Sequence, residues 1–246
     1  MKPLFSSAAI SSFVAASAVV ISSSVFSPAN AASMSFTIND FTGADTQVKF
    51  TLDDLNGSGK VQFKVDYLST GTNTIADIRG IFFNIKDDSL LSGLKIENLA
   101  ATDVTATKFG EPGKVDSVGS NSNNLNGNGN QKNFFDAGVE IGQEGIGQGK
   151  GDIQSTIFTL SHASQALTLA QFSEQNFGVR LMSVGSGNNR NGSSKLKGQA
   201  PYYTPPPPPP AKVPEPTTTV ALGLFALGAL RVAKKKTQTL ASITVS

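Results

Sequence analysis

Cysteine and tryptophan are both absent from these 246 residues, and histidine occurs once. The lack of cysteine excludes disulfides, thiolate metal ligands, a cysteine nucleophile and an N-terminal lipid-modified cysteine. Charge is also sparse: Asp, Glu, Lys and Arg make up 15% of the chain, against roughly a quarter in ordinary soluble domains. The length admits one substantial domain with appendages and no large multidomain enzyme. The formal net charge of +2 is uneven, because Lys2, Arg231, Lys234, Lys235 and Lys236 all sit near the ends. Residues 32–213 hold 15 basic and 17 acidic residues, so they offer no basic stripe to neutralise phosphates and no nucleic-acid partner is expected.

What the chain does have begins at its N-terminus. Met1-Lys2 opens an apolar, serine-diluted stretch over residues 8–26 that ends in Pro28-Ala29-Asn30-Ala31. Small residues at Ala29 and Ala31 form an A-x-A site, so residues 1–31 read as a signal peptide for the Sec machinery, cut by signal peptidase between Ala31 and Ala32. Residues 32–199 form the body. Residues 200–212 form a proline-rich linker containing six consecutive prolines, whose fixed φ leaves polyproline II as the available conformation.

Beyond the linker stand Val213-Pro214-Glu215-Pro216, then residues 217–230 without a charge, then Arg231 and the cluster Lys234-Lys235-Lys236. Residues 217–233 predict a single transmembrane helix of about 25 Å, short against a hydrocarbon core near 30 Å. Snorkelling of Arg231 and the lysines makes up the difference. The basic stop places the lysines in the cytoplasm and the body outside. Residues 237–246 add a polar tail.

Together, the signal peptide, proline spacer, Val213-Pro214-Glu215-Pro216, apolar span and basic cluster resemble the PEP-CTERM family. The resemblance covers residues 213–236. It implies that the C-terminus is a sorting signal handled by an exosortase, a membrane-embedded cysteine protease-transpeptidase, and that the protein is displayed at the cell envelope. The chain departs from the family pattern in its ten-residue tail and in using lysines where arginines are common. Three runs in the body, Asp77-Ile78-Arg79-Gly80-Ile81-Phe82-Phe83, Asp136-Ala137-Gly138-Val139-Glu140-Ile141-Gly142 and Phe177-Gly178-Val179-Arg180-Leu181, resemble domains of exported cyanobacterial PEP-CTERM proteins of unassigned function.

Within the body, Val48, Phe50 and Leu52 alternate with polar residues, as do Val61, Phe63, Val65 and Tyr67. This predicts two strands with one buried face each, joined by a hairpin loop at Asn56-Gly57-Ser58-Gly59. Further strands are expected at 36–38, 81–85, 94–97, 104–109, 134–141, 153–160 and 178–184, with a helical turn at 167–172. Phe82 and Phe83 are expected on opposite faces. About nine short strands, glycine- and asparagine-rich turns and sixteen phenylalanines predict an antiparallel β-sandwich.

The chemistry on offer is thin. His162 follows Ser161 with no spacing that ties it to a carboxylate, and reads as a solvated or satisfied histidine. Glu140 and Glu144 lack the fixed separation a glycosidase pair needs. The glycine-rich segment 142–151 lacks P-loop spacing, and residues 121–133 read as an exposed polar loop. Asp54-x-Asn56-x-Ser58-Gly59 matches half of an EF-hand loop, leaving Asp53, Asp54 and Asn56 as weak calcium ligands against a hairpin reading. Asp87 and Asp88 are a second acidic pair. No cofactor is expected. The favoured expectation is a non-enzymatic envelope or surface protein, associated with extracellular polysaccharide. A carbohydrate- or calcium-binding module is the alternative and a hydrolase the third. Sugar platforms favour exposed aromatics, and Tyr67 is expected on a buried face.

Overall fold

The alternation in the body does build strands that bury one face. In the computed structural model, which describes residues 31–127, 131–143 and 151–207, Val48, Phe50, Leu52, Val61, Phe63 and Val65 are fully buried while their sequence neighbours face out. Ten strands form in all: β1 (Ser33–Gly43), β2 (Gln47–Asp53), β3 (Val61–Leu68), β4 (Ile75–Phe83), β5 (Leu94–Ile96), β6 (Val104–Lys108), β7 (Ala137–Ile141), β8 (Ser155–His162), β9 (Asn176–Ser186) and β10 (Asn189–Gln199). Helical structure among the described residues is limited to three 3-10 turns, Asp88–Gly93, Leu99–Ala101 and Leu169–Gln171. The last meets the expected turn at 167–172, and a Thr168/Gln171 capping box fixes its start.

The tenth strand corrects the expected count of nine. β10, with sequence NRNGSSKLKGQ, has only Ser194 and Leu196 buried. Its inward face thus carries too little apolar signal for alternation to reveal it. Register with β1 and β9 on its two sides holds it in place.

All ten strands belong to one antiparallel sheet in the order β5-β8-β3-β2-β1-β10-β9-β4-β7-β6. Along a flat sheet β3 and β4, five places apart, would be separated by about 24 Å at the usual strand spacing. Yet the Phe63 and Phe83 rings lie 5.2 Å apart, and Phe50 meets Phe177 edge-on at 5.1 Å. The sheet therefore curls over and encloses its own inner face. The residues ahead of β8 stitch the curl: Gln154 O accepts from Tyr67 N–H and Ile153 O from Ile78 N–H, both at 2.8 Å.

Phe82 and Phe83 face opposite sides, as expected: Phe83 joins the main core, while Phe82 joins a second, smaller one with Val115, Val118, Leu125 and Phe135. This second core corrects the reading of residues 121–133 as an exposed loop. Asn123 and Leu125 are buried, and Asn123 Nδ2 donates to Arg79 O at 2.8 Å. Residues 123–125 lie against the outer face of the sheet because strand glycines leave room there. A Cβ on Gly178 would come within 2.2 Å of Leu125, and one on Gly80 within 2.2 Å of Asn123.

The body also extends past the expected boundary at Gln199. Ala200 N–H donates to Gln175 O at 2.9 Å, and Tyr203 N–H to Ser173 Oγ at 2.9 Å, with Tyr203 packed on the main core. The chain divides into two units, Met1–Pro206 and Pro207–Ser246. The expected transmembrane segment 217–233, the sorting motif Val213 to Pro216, the basic stop and most of the signal peptide lie outside the described residues. Among the described residues no helix is long and apolar enough to cross a membrane.

Candidate functional site

The hairpin loop between β2 and β3 forms, in an unusual shape. Leu55, Asn56 and Gly57 have φ of 50°, 61° and 69°, three consecutive left-handed residues closed by Ser58 N–H donating to Asp54 O at 3.2 Å. Glycine and asparagine tolerate this region, but a leucine there is strained by about 1–2 kcal/mol. Asp53 Oδ1 accepts from Leu55 N–H at 2.7 Å and Asp54 Oδ1 from Ala32 N–H at 2.9 Å. The weak calcium candidates thus spend these carboxylate oxygens on the backbone, and Asn56 shapes the turn. Among the described residues no three acidic or histidine side chains gather as a metal site. Asp87 likewise caps a 3-10 turn through Ser89. Because the strain at Leu55 is local, Leu55→Asn should raise stability by about 0.5 kcal/mol and Leu55→Val lower it by about 1 kcal/mol in urea unfolding.

The loop borders a polar groove of about 530 Å³, completed by β5 and by the turn after β8. Glu97 is at its centre. Its Oε1 accepts from Ser161 Oγ at 2.6 Å and faces Lys95 Nζ at 3.4 Å, and its Oε2 accepts from Lys60 Nζ at 3.0 Å. The Ser161 hydroxyl, followed by Lys60, holds the Glu97 carboxyl down at about 2. The group is therefore a fixed anion at neutral pH and holds no proton to give. His162 lies in the same groove with Nδ1 accepting from Ser164 N–H at 3.1 Å and Gln165 N–H at 2.9 Å, so a neutral ring carries its hydrogen on Nε2. That edge covers Gly93, where a Cβ would come within 2.0 Å of it.

Ser161 and His162 are neighbours in the groove, and each makes its hydrogen bonds elsewhere. Ser161 is 3% exposed and gives its hydrogen to Glu97, while His162 Nδ1 is occupied by backbone. Two lysines, one carboxylate and several hydroxyl and amide groups suit recognition of a polar or anionic surface. A second cavity of about 340 Å³, at the opposite ends of the strands, is lined by uncharged Thr72, Asn73, Ser186, Asn189 and Asn191.

A third polar cluster was not foreseen. Arg79, 3% exposed, donates to Ile141 O at 2.6 Å and stands 3.9 Å from Asp77 and 3.8 Å from Glu140. Glu140, for which the sequence offered no glycosidase partner at a fixed separation, accepts from Thr105 Oγ1 at 3.1 Å; Glu144 lies outside the described residues. Asp152 pairs with Arg190 nearby. Burial pushes the Asp77 carboxyl up to about 6, with Asp152 adding to the rise; the Ile153 N–H and the distant Arg79 only partly oppose it. The sequence hint was the acid-cation spacing of Asp77 and Arg79, which alternation would place on one face.

Of the sugar-platform candidates, Tyr67 is 8% exposed with its hydroxyl donating to Asn73 O, so it faces inward as expected. The exposed aromatics among the described residues are Phe41, Phe134 and Tyr202, none of which lines either cavity. No protein family, curated protein or solved structure matches this chain.

Proposed function

We propose that this chain is a non-enzymatic exported protein of the cell envelope, a body of one curled antiparallel sheet displayed at the surface through a PEP-CTERM-type anchor. The observation that carries the reading is the coincidence of two boundaries. The sequence puts signal cleavage between Ala31 and Ala32. Ala31 is exposed, whereas Ala32 is 7% exposed and hydrogen-bonded to Asp54, one residue ahead of β1. Removal of residues 1–31 would leave every strand whole.

The exit point agrees with this. Desolvation, and then the charge of Asp54, raise the Tyr203 hydroxyl above its usual range, so the last docked residue lies within electrostatic reach of the first strand pair. The groove chemistry also favours recognition over turnover, since Glu97 stays ionised and Ser161 is committed to it. Association with extracellular polysaccharide fits the Asn-, Ser- and Thr-lined cavity, whose groups suit hydroxyl partners, and a carbohydrate-binding module is the second reading on that ground.

The test is the fate of both ends. Envelope material should yield Ala32 as its first residue and, after exosortase processing near Pro214-Glu215-Pro216, a mass short of roughly the 30 residues beyond that motif. Leu224→Asp, Phe225→Asp and Leu227→Asp together, at about 3 kcal/mol for each central charge, should release the protein in soluble form. An intact Met1 terminus sinks the export reading. A wild-type mass that retains Ser246 removes the processing step.

A further inference from the structure

Asp54 makes a contact that ordinary strand pairing does not require. Continuing the register from Ser33↔Asp53 places Ala32 opposite Asp54, and the Asp54 N–H donates to Ala32 O at 3.0 Å. The reciprocal bond would run from Ala32 N–H to the Asp54 carbonyl. That oxygen already accepts from Ser58 N–H at 3.2 Å, closing the left-handed turn. The Ala32 nitrogen turns instead to the Asp54 carboxylate, 2.9 Å away. A carbonyl suffices for an amide hydrogen, and a carboxylate is the stronger acceptor for a cation.

We infer that Asp54 is the seat of the mature N-terminus, an inference that rests on the export reading above. Hydrolysis adds water across the Ala31–Ala32 bond: Ala31 departs with the leader as a carboxylate, and Ala32 keeps an amine. With an ordinary α-amine pKa near 8 that amine takes up a proton at neutral pH. The nitrogen already in contact with Asp54 then becomes an ammonium, and a neutral hydrogen bond becomes a charge-assisted ion pair. The other ionisable groups close by do not compete for it: Asp53 is held by Leu55 N–H, and Tyr203 is neutral at pH 7.

Two consequences follow from the burial of Ala32. The Ala32 side of the scissile bond is buried once β1 is paired, which favours cleavage before folding. After folding, the new terminus is locked into the ladder and shielded from aminopeptidases. Processing therefore stabilises the body as well as freeing it.

The experiment compares residues 32–246 in detergent, prepared with Ala32 as the first residue, with the same chain carrying one extra glycine ahead of Ala32. Each is made with Asp54 and with Asp54→Asn, which keeps an acceptor oxygen and removes the charge. With Asp54 in place, the free-Ala32 chain should unfold about 2–4 °C above the glycine-extended one. Its amine should also react several-fold more slowly with an amine-selective reagent at pH 7. Both differences should vanish in Asp54→Asn. Equal midpoints for the two lengths, or a difference that persists in Asp54→Asn, would overturn the inference. The export reading fails by a separate route, an envelope protein whose first residue is not Ala32, which leaves the measured pair intact.

Discussion

Phe63→Ala is expected to lower stability by about 3–5 kcal/mol, the range for emptying a large aromatic site in a well-packed core. Phe63 is fully buried, and its ring lies within 5.1 Å of Phe158, 5.2 Å of Phe83, 5.3 Å of Phe172 and 6.3 Å of Phe177. Those rings come from β8, β4, the turn after Leu169–Gln171 and β9, so one side chain joins parts of the sheet that are far apart in strand order. Its removal opens a cavity on several sides, which the surrounding strands cannot close because their registers are fixed by hydrogen bonds. Thermal unfolding by circular dichroism should show a midpoint lower by about 10 °C. Phe63→Leu, which refills most of the space, should lose less than half as much. A loss under about 1 kcal/mol in Phe63→Ala would mean that the sheet does not curl around this ring.

How much of this was legible depended on whether the signal was local. β2 and β3 could be read from Val48 to Tyr67 because each strand buries alternate residues and a turn of Asn and Gly separates them. β10 could not, because Ser194 and Leu196 are its only buried residues and lysines flank Leu196. The second core was hidden by the polarity of residues 121–127, although Gly80, Gly138 and Gly178 inside strands were an available sign that something packs closely on that face. The curl of one sheet, as against two stacked sheets, depends on which strands share hydrogen bonds, and no residue pattern encodes that directly.

The groove was illegible for the same reason. Lys60, Glu97 and Ser161 come from three distant segments, and the topology alone brings them together. Asp54 was singled out for its spacing in a metal-like loop, while its contact to Ala32 depended on strand register. The proposed cleavage junction and sorting motif are linear patterns, which a sequence carries without reference to its fold.

The buried cation gives the second large effect. Arg79→Met should cost about 3–5 kcal/mol at pH 8, because it takes the cation away from both Asp77 and Glu140 and strips the hydrogen bond from Ile141 O. Methionine retains most of the apolar volume, so the loss reports charge more than packing. Its dependence on pH has a definite sign. The folded pKa of Asp77, about 6, lies above its value of 3.8 in an unfolded chain, so folding favours the protonated carboxyl. The stability from that preference is complete below about pH 3.8 and is lost as pH rises through 6. In the wild-type protein, after allowance for partial exposure, this amounts to about 1 kcal/mol between pH 5 and 8. Glu97, held at about 2, does not titrate in that window. Loss of Arg79 removes a cation that opposes the rise at Asp77, so its pKa should move higher still and the cost of Arg79→Met should be smaller at pH 5 than at pH 8. Asp77→Asn, which keeps an oxygen for the Ile153 N–H, should flatten the wild-type profile over the same range. Urea unfolding of the three proteins at pH 5 and pH 8 decides it: a penalty for Arg79→Met that is equal at both, or larger at pH 5, would place the coupled carboxylate elsewhere.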